Sequence, residues 1–164
     1  MAEGGASTMI LLVASLLISG AASVVLLQSW GEVAEASGTN TKGKVADAET
    51  DVSFSGDRGD VLLDTSGANQ EITLYFQNTG IRPLDKASFT IFVDGVSSTV
   101  VGSPTLYPTS GVWATNHVLE VTVSDPSFAY LDNDIATVTI IVQSTVSEGV
   151  KGTDSASEEV RLSV

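Results

Sequence analysis

Few side chains in this chain are suited to chemistry, and their spacing does not gather them. His117 is the single histidine, and there is no cysteine. Cysteine nucleophiles, thiolate zinc sites and iron–sulfur clusters are therefore excluded. A zinc site built on two histidines cannot form either. His117 opens the alternating run HVLEVTV and shares its apolar face with Leu119, Val121 and Val123. A histidine placed this way packs or lies at an edge more often than it catalyses. No Gly-x-Ser-x-Gly elbow accompanies it, so no Ser-His-Asp arrangement is indicated. Phosphate-cradling glycine loops are also missing. What remains is hard oxygen. Asp132, Asn133 and Asp134 are consecutive with Asp125 nearby, and Asp57, Asp60 and Asp64 surround Gly59. Loops of this kind can hold Ca²⁺, but neither group has EF-hand spacing. The alternative is turn chemistry, which Asp and Asn favour. No spacing indicates the paired carboxylates of glycoside hydrolysis. The residues assign no catalytic, cofactor or metal position, and the expectation is a protein that is not an enzyme.

Charge narrows the partners. The 164 residues carry 20 acids against 7 bases, a net charge of −13. Nucleic acid is excluded as a partner, because phosphate binding needs a basic surface. Anionic lipid headgroups are disfavoured for the same reason. The acidity fits a solvated surface in a salty medium, where like charges are screened. It also fits a docking face for a basic partner, and a complex held that way weakens as salt is added.

Residues 4–31 contain no charged side chain at all. About 20 apolar residues in a helix cross the hydrocarbon of a bilayer, and residues 8–30 exceed that. Three readings compete for this segment. A cleaved secretory signal needs a basic n-region and a small-x-small site. Residues 1–8 have no Lys or Arg, and the run continues through Val24 and Leu27 past the one candidate site at 19–23. A retained single-pass helix fits Trp30 at its end, where an indole prefers the interface. Its small residues Ala14, Gly20, Ala21 and Ala22 suit close helix approach in lipid. The third reading is a pilin-like helix that packs into the core of a filament.

Beyond the apolar segment, residues 37–43 (SGTNTKG) read as a linker, and 44–50 as a short helical remnant or extended chain. Period-2 alternation then takes over. It predicts strands near 51–55, 60–64, 71–77, 87–93, 96–101, 117–123, 136–142 and 157–164. Asp94-Gly95 is a hairpin signal. Short strands at this spacing argue an immunoglobulin-like all-β sandwich. The expected division is a helix over 1–36, a linker over 37–50 and a sandwich over 51–164. Pro104, Tyr107, Pro108 and Trp113 fall in an expected loop at 102–115, where the aromatics either make contacts or fold back to cap the sandwich. The C-terminal strand is a candidate exposed edge, or is paired inside the sandwich.

Four segments resemble one family. They are the apolar helix TMILLVASLLISGAASVV, the entry ETDV (49–52), the strand and turn TLYFQNTGIRPLD (73–85) and FTIFVDG (89–95). An apolar pilin-like helix ahead of a cysteine-free sandwich, with these segments, resembles the archaellum (archaeal flagellum) accessory proteins of the FlaG/FlaF type, and FlaG more than FlaF. The resemblance implies an N-terminal transmembrane helix crossing the cytoplasmic membrane once, with the β-domain outside, beneath or at the surface layer. It implies a stator that braces the archaellum motor. The partners it implies are further copies or a FlaF/FlaG-type protein, surface-layer protein and the motor or filament. Two alternatives stand beside it: a structural subunit of a surface filament, pilin- or archaellin-like, and a tethered sandwich that binds sugar or calcium.

Overall fold

The computed structural model describes residues 3–109 and 111–164, with only the helical backbone described over 3–7. Met1, Ala2 and Ser110, which belong to the expected helix and to the expected 102–115 loop, lie outside the described residues. The chain forms two compact units, Met1–Thr41 and Lys42–Val164.

The first unit is helical. Helix α1 runs Glu3–Glu49. Its large apolar side chains from Met9 to Val33 are all exposed. A helix that is apolar all round is built for a membrane or for the inside of an assembly, not for the surface of a soluble domain. By length and composition it can cross a bilayer. Its hydroxyls bond to carbonyls of the preceding turn. Ser23 donates to the Ser19 carbonyl at 2.8 Å. The structure differs here from the expected linker. Residues 37–43 are helical, with Thr39 and Thr41 donating to the carbonyls of Glu35 and Ser37 at 3.1 and 2.9 Å.

The second unit contains nine strands: β1 (Val52–Phe54), β2 (Val61–Asp64), β3 (Glu71–Asn78), β4 (Leu84–Val93), β5 (Val96–Ser97), β6 (Thr99–Tyr107), β7 (Val118–Ser124), β8 (Ile135–Ser144) and β9 (Thr153–Ser163). Their order is β5-β4-β8-β9-β2-β3-β7-β6, with β1 on β3. Every pairing is antiparallel except β2 with β9. That parallel seam joins two layers, β6-β7-β3 and β4-β8-β9, which close over one core as an apolar-in sandwich. The alternation of each strand places Leu74 and Phe76, Val121, Ile91, Ile140 and Leu162 inside.

The strands differ from the expected ones where punctuation residues sit inside a strand. The expected 96–101 strand is two, β5 and β6, and β6 continues to Tyr107 through Gly102 and Pro104. It does so with a register shift between Val101 and Thr105, so the bulge absorbs the residues that read as loop. The C-terminal strand is not an exposed edge. β9 lies between β8 and β2, with Val61 opposite Leu162. Asp94 and Gly95 both have positive φ, 50° and 79°, which is the hairpin turn read from the dipeptide.

Candidate assembly interface

The residues singled out for chemistry serve the fold. The His117 backbone carbonyl accepts from Asn78 N and from Trp113 Nε1 at 3.1 and 2.9 Å, and its Nδ1 lies 3.2 Å from the Val112 carbonyl. Asp125 Oδ1 takes the Ser127 backbone amide at 2.8 Å and also the Ser127 hydroxyl. The Ser127 hydroxyl, then its amide, hold the Asp125 carboxyl below the usual range. Asp132 accepts from Val164 N and from Asn133 Nδ2, and Asp134 from Leu131 N. Asp57 caps Gly59 N, and Asp64 caps Ser66 N. These carboxylates close turns. Among the described residues no three His, Asp or Glu side chains come together as a metal site.

The two loop aromatics part company. Trp113 is fully buried. Its carbonyl accepts from Leu84 N and from Asn78 Nδ2, both at 2.9 Å. Tyr107 is 47 % exposed. Thus Trp113 caps the core, while Tyr107 faces solvent.

Within the second unit, the helix end (residues 42–49) is seated on the sandwich. Ala46 is fully buried and Thr50 nearly so. Thr50 Oγ1 donates to the Ala46 carbonyl at 2.7 Å. Glu49 O accepts the amides of Ile81 and Arg82 at 2.9 and 3.1 Å, and Asp51 O those of Thr79 and Gly80 at 3.1 Å. The last helical carbonyl, Glu49 O, which has no partner inside a helix, is satisfied by the β3–β4 turn. Arg82 Nε reaches Glu49 Oε2 at 2.7 Å, and Asp47 Oδ1 accepts Thr153 N at 2.9 Å. Two glycines make room. A Cβ on Gly80 would stand 2.5 Å from Asp51 N and 2.6 Å from Glu49 O, and one on Gly152 would meet the Ala46 carbonyl and Thr50 Oγ1. Residue reading missed this seat. Its only local signals were an isolated Gly after Asn78-Thr79 and another before β9.

Asp154 extends the seat. Its Oδ2 accepts Val52 N at 2.9 Å from 102 residues away. Replacing Asp154 with Ala leaves that part-buried amide without its acceptor, and a loss of about 1–3 kcal/mol is expected in urea unfolding. A change below about 0.5 kcal/mol, the size of an ordinary surface substitution, would count against this role.

The first unit is therefore an exposed apolar helix, and the second a sandwich on which residues 42–49 are seated. Against known families, residues 2–160 match the one described as archaeal-type flagellin. The chain belongs to the archaeal-type flagellin family. No curated protein matches it. Archaeal-type flagellins are structural, not enzymatic, so this chain is a non-enzymatic structural component of the archaellum and acts in motility. Membership implies assembly into an archaellum. The N-terminal helix fits a single-pass membrane anchor. The FlaG/FlaF-type assignment is finer than this match, which supports an archaellum protein without selecting the stator type.

The sandwich carries a pH dependence of its own. Burial, then the hydrogen bond to Asp94 Oδ2 at 2.8 Å, raises the Tyr130 phenol well above its ordinary range. Tyr75 and Tyr107 are raised as well, Tyr75 by burial and then Glu120, Tyr107 by Glu120. A raised phenol stabilises the fold in its neutral form. That contribution is whole below about pH 10, the unfolded tyrosine value, and is lost as pH rises above it. The melting temperature should fall on the alkaline side of pH 10. The fall should be shallower in Tyr130→Phe, and an identical slope in the two proteins would refute the assignment.

Proposed function

We propose that this chain is a filament subunit of the archaellum. Helix α1 packs with those of other copies in the filament core, and the sandwich forms the outer layer. One observation carries the reading: in a chain matched to the flagellin family over 2–160, the large apolar side chains from Met9 to Val33 are all exposed. Apolar surface on this scale needs a cover. A membrane covers it before assembly, and neighbouring helices cover it afterwards. The reading gives no residue a catalytic, cofactor or metal role.

The stator is the second reading, favoured by the resemblance of 73–85 and 89–95 to FlaG-type proteins. In it the helix stays in the cytoplasmic membrane and the sandwich braces the motor against the surface layer. A strain lacking the chain separates the two. The proposal expects filaments to be lost and swimming with them. Filaments present with swimming lost would overturn it in favour of the stator, and normal filaments with normal swimming would overturn both.

A further inference from the structure

The acids of the sandwich are unevenly placed. Asp57 and Asp60 lie in the β1–β2 loop, Asp64 at the end of β2 where the β2–β3 loop starts, and Asp125, Asp132 and Asp134 in the β7–β8 loop. The outer faces of the two layers are mostly neutral. On the β3-β7-β6 face the outward side chains include Thr73, Tyr75, Glu120, Thr122 and Tyr107. Glu120 stands opposite Tyr75 on one side and opposite Thr105 on the other, two residues from Tyr107. Tyr75 is 37 % and Tyr107 47 % exposed. One carboxylate is thus flanked by two exposed aromatic rings. The β4-β8-β9 face is its counterpart in charge. Arg161 points outward between buried Val160 and Leu162, opposite the exposed Ile135, and exposed Leu62 lies beside Ser163. Among the described residues Arg161 is in no ion pair, although Glu159 shares its face. Here a guanidinium has one exposed apolar side chain, Ile135, opposite it, and the β2–β9 register brings Asp60 to its other side.

Resting on the filament-subunit reading, we propose that the β3-β7-β6 face of one copy docks on the β4-β8-β9 face of the next, with Arg161 of one seated between Tyr75 and Tyr107 against Glu120 of the other. Three physical facts favour a second copy as the occupant. A strongly acidic domain repels its own kind least where an acidic face meets one that carries a cation. A guanidinium over tyrosine rings and against a carboxylate combines cation–π and charge-assisted bonding. The two faces differ and lie on opposite sides of the sandwich, so the contact is heterologous, and a heterologous contact that does not close propagates as a helical filament.

The native chain has no cysteine, which makes the test direct. Archaella are isolated from cells expressing Glu120→Cys, Arg161→Cys or both, oxidised with copper phenanthroline and run without reductant. The double variant should give a ladder of covalent multimers, and neither single variant a cross-link. Dimers from a single variant would mean like faces meet, and would overturn the contact. The double variant present in filaments without a ladder would overturn it too, leaving the filament reading intact. Chain absent from wild-type filaments would overturn the filament reading and this contact together. Charge reversal gives a second measure. Glu120→Arg and Arg161→Glu should each lower filament yield about ten-fold or more, and the double reversal should restore it. Failure of the double to recover, with both single variants folded, would overturn the pairing.

Discussion

Leu17→Asp is expected to remove this chain from the archaellum altogether. Leu17 is 68 % exposed on a helix with no polar stripe, so rotating the helix cannot hide the charge. On the membrane-insertion scale a carboxylate near the centre of a spanning helix costs about 3 kcal/mol. In a dry helical core an unpaired carboxylate is penalised in the same way. The cost recurs in every copy, so a modest penalty per chain becomes loss of the assembly. Leu17→Met keeps volume and polarity and should assemble normally. Thr39→Asp, on the polar part of the same helix, should also assemble. Immunoblots of membrane and filament fractions read the result. A Leu17→Asp chain recovered in filaments at the normal level would refute burial of this helix.

Gly80→Ala should unseat the end of α1, and Gly152→Ala should do the same from the other side. At Gly80 the added methyl would lie 2.5 Å from Asp51 N and 2.6 Å from Glu49 O. These are backbone atoms, so no side-chain rotation relieves the overlap. About 2–3 kcal/mol of stability should be lost in each variant. Both methyls push on residues 46–51, so the double variant should lose clearly less than the sum of the singles. Hydrogen exchange gives the location. The amides of Ile81 and Arg82, bonded to Glu49 O, should exchange faster in both variants, while the β8–β9 amides stay protected. Additive losses, or unchanged exchange at Ile81 and Arg82, would argue that the seat is not one cooperative unit.

Much of this was legible along the chain. An uninterrupted apolar run is a matter of composition, because a bilayer or a helical core responds to the polarity of the residues and not to their order. The run at 4–31 therefore announced the exposed helix. Strand alternation is equally local: a pleat sends neighbours to opposite faces, so Ile72, Leu74 and Phe76 had to be buried together once one of them was. Asp94-Gly95 specified its turn because few dipeptides tolerate two positive φ values. With one histidine and no cysteine, the residues themselves point away from an enzyme.

Other features depended on residues far apart. Tertiary structure fixed where the helix ends, because the β3–β4 turn donates to the Glu49 carbonyl and Thr153 N to the Asp47 carboxylate. It placed β9 between β8 and β2, since the parallel pairing of Val61 with Leu162 joins segments whose own alternation says nothing about their neighbours. It sent Trp113 inward and left Tyr107 outside, although both stand in one aromatic-rich stretch. It also gave Gly80 and Gly152 their purpose. Alternation and composition act within a few residues, so sequence alone determined which faces are apolar. Which strands meet, and where the helix end rests, is decided by hydrogen bonds and contacts across as many as 106 residues, and only the folded chain brings those residues together.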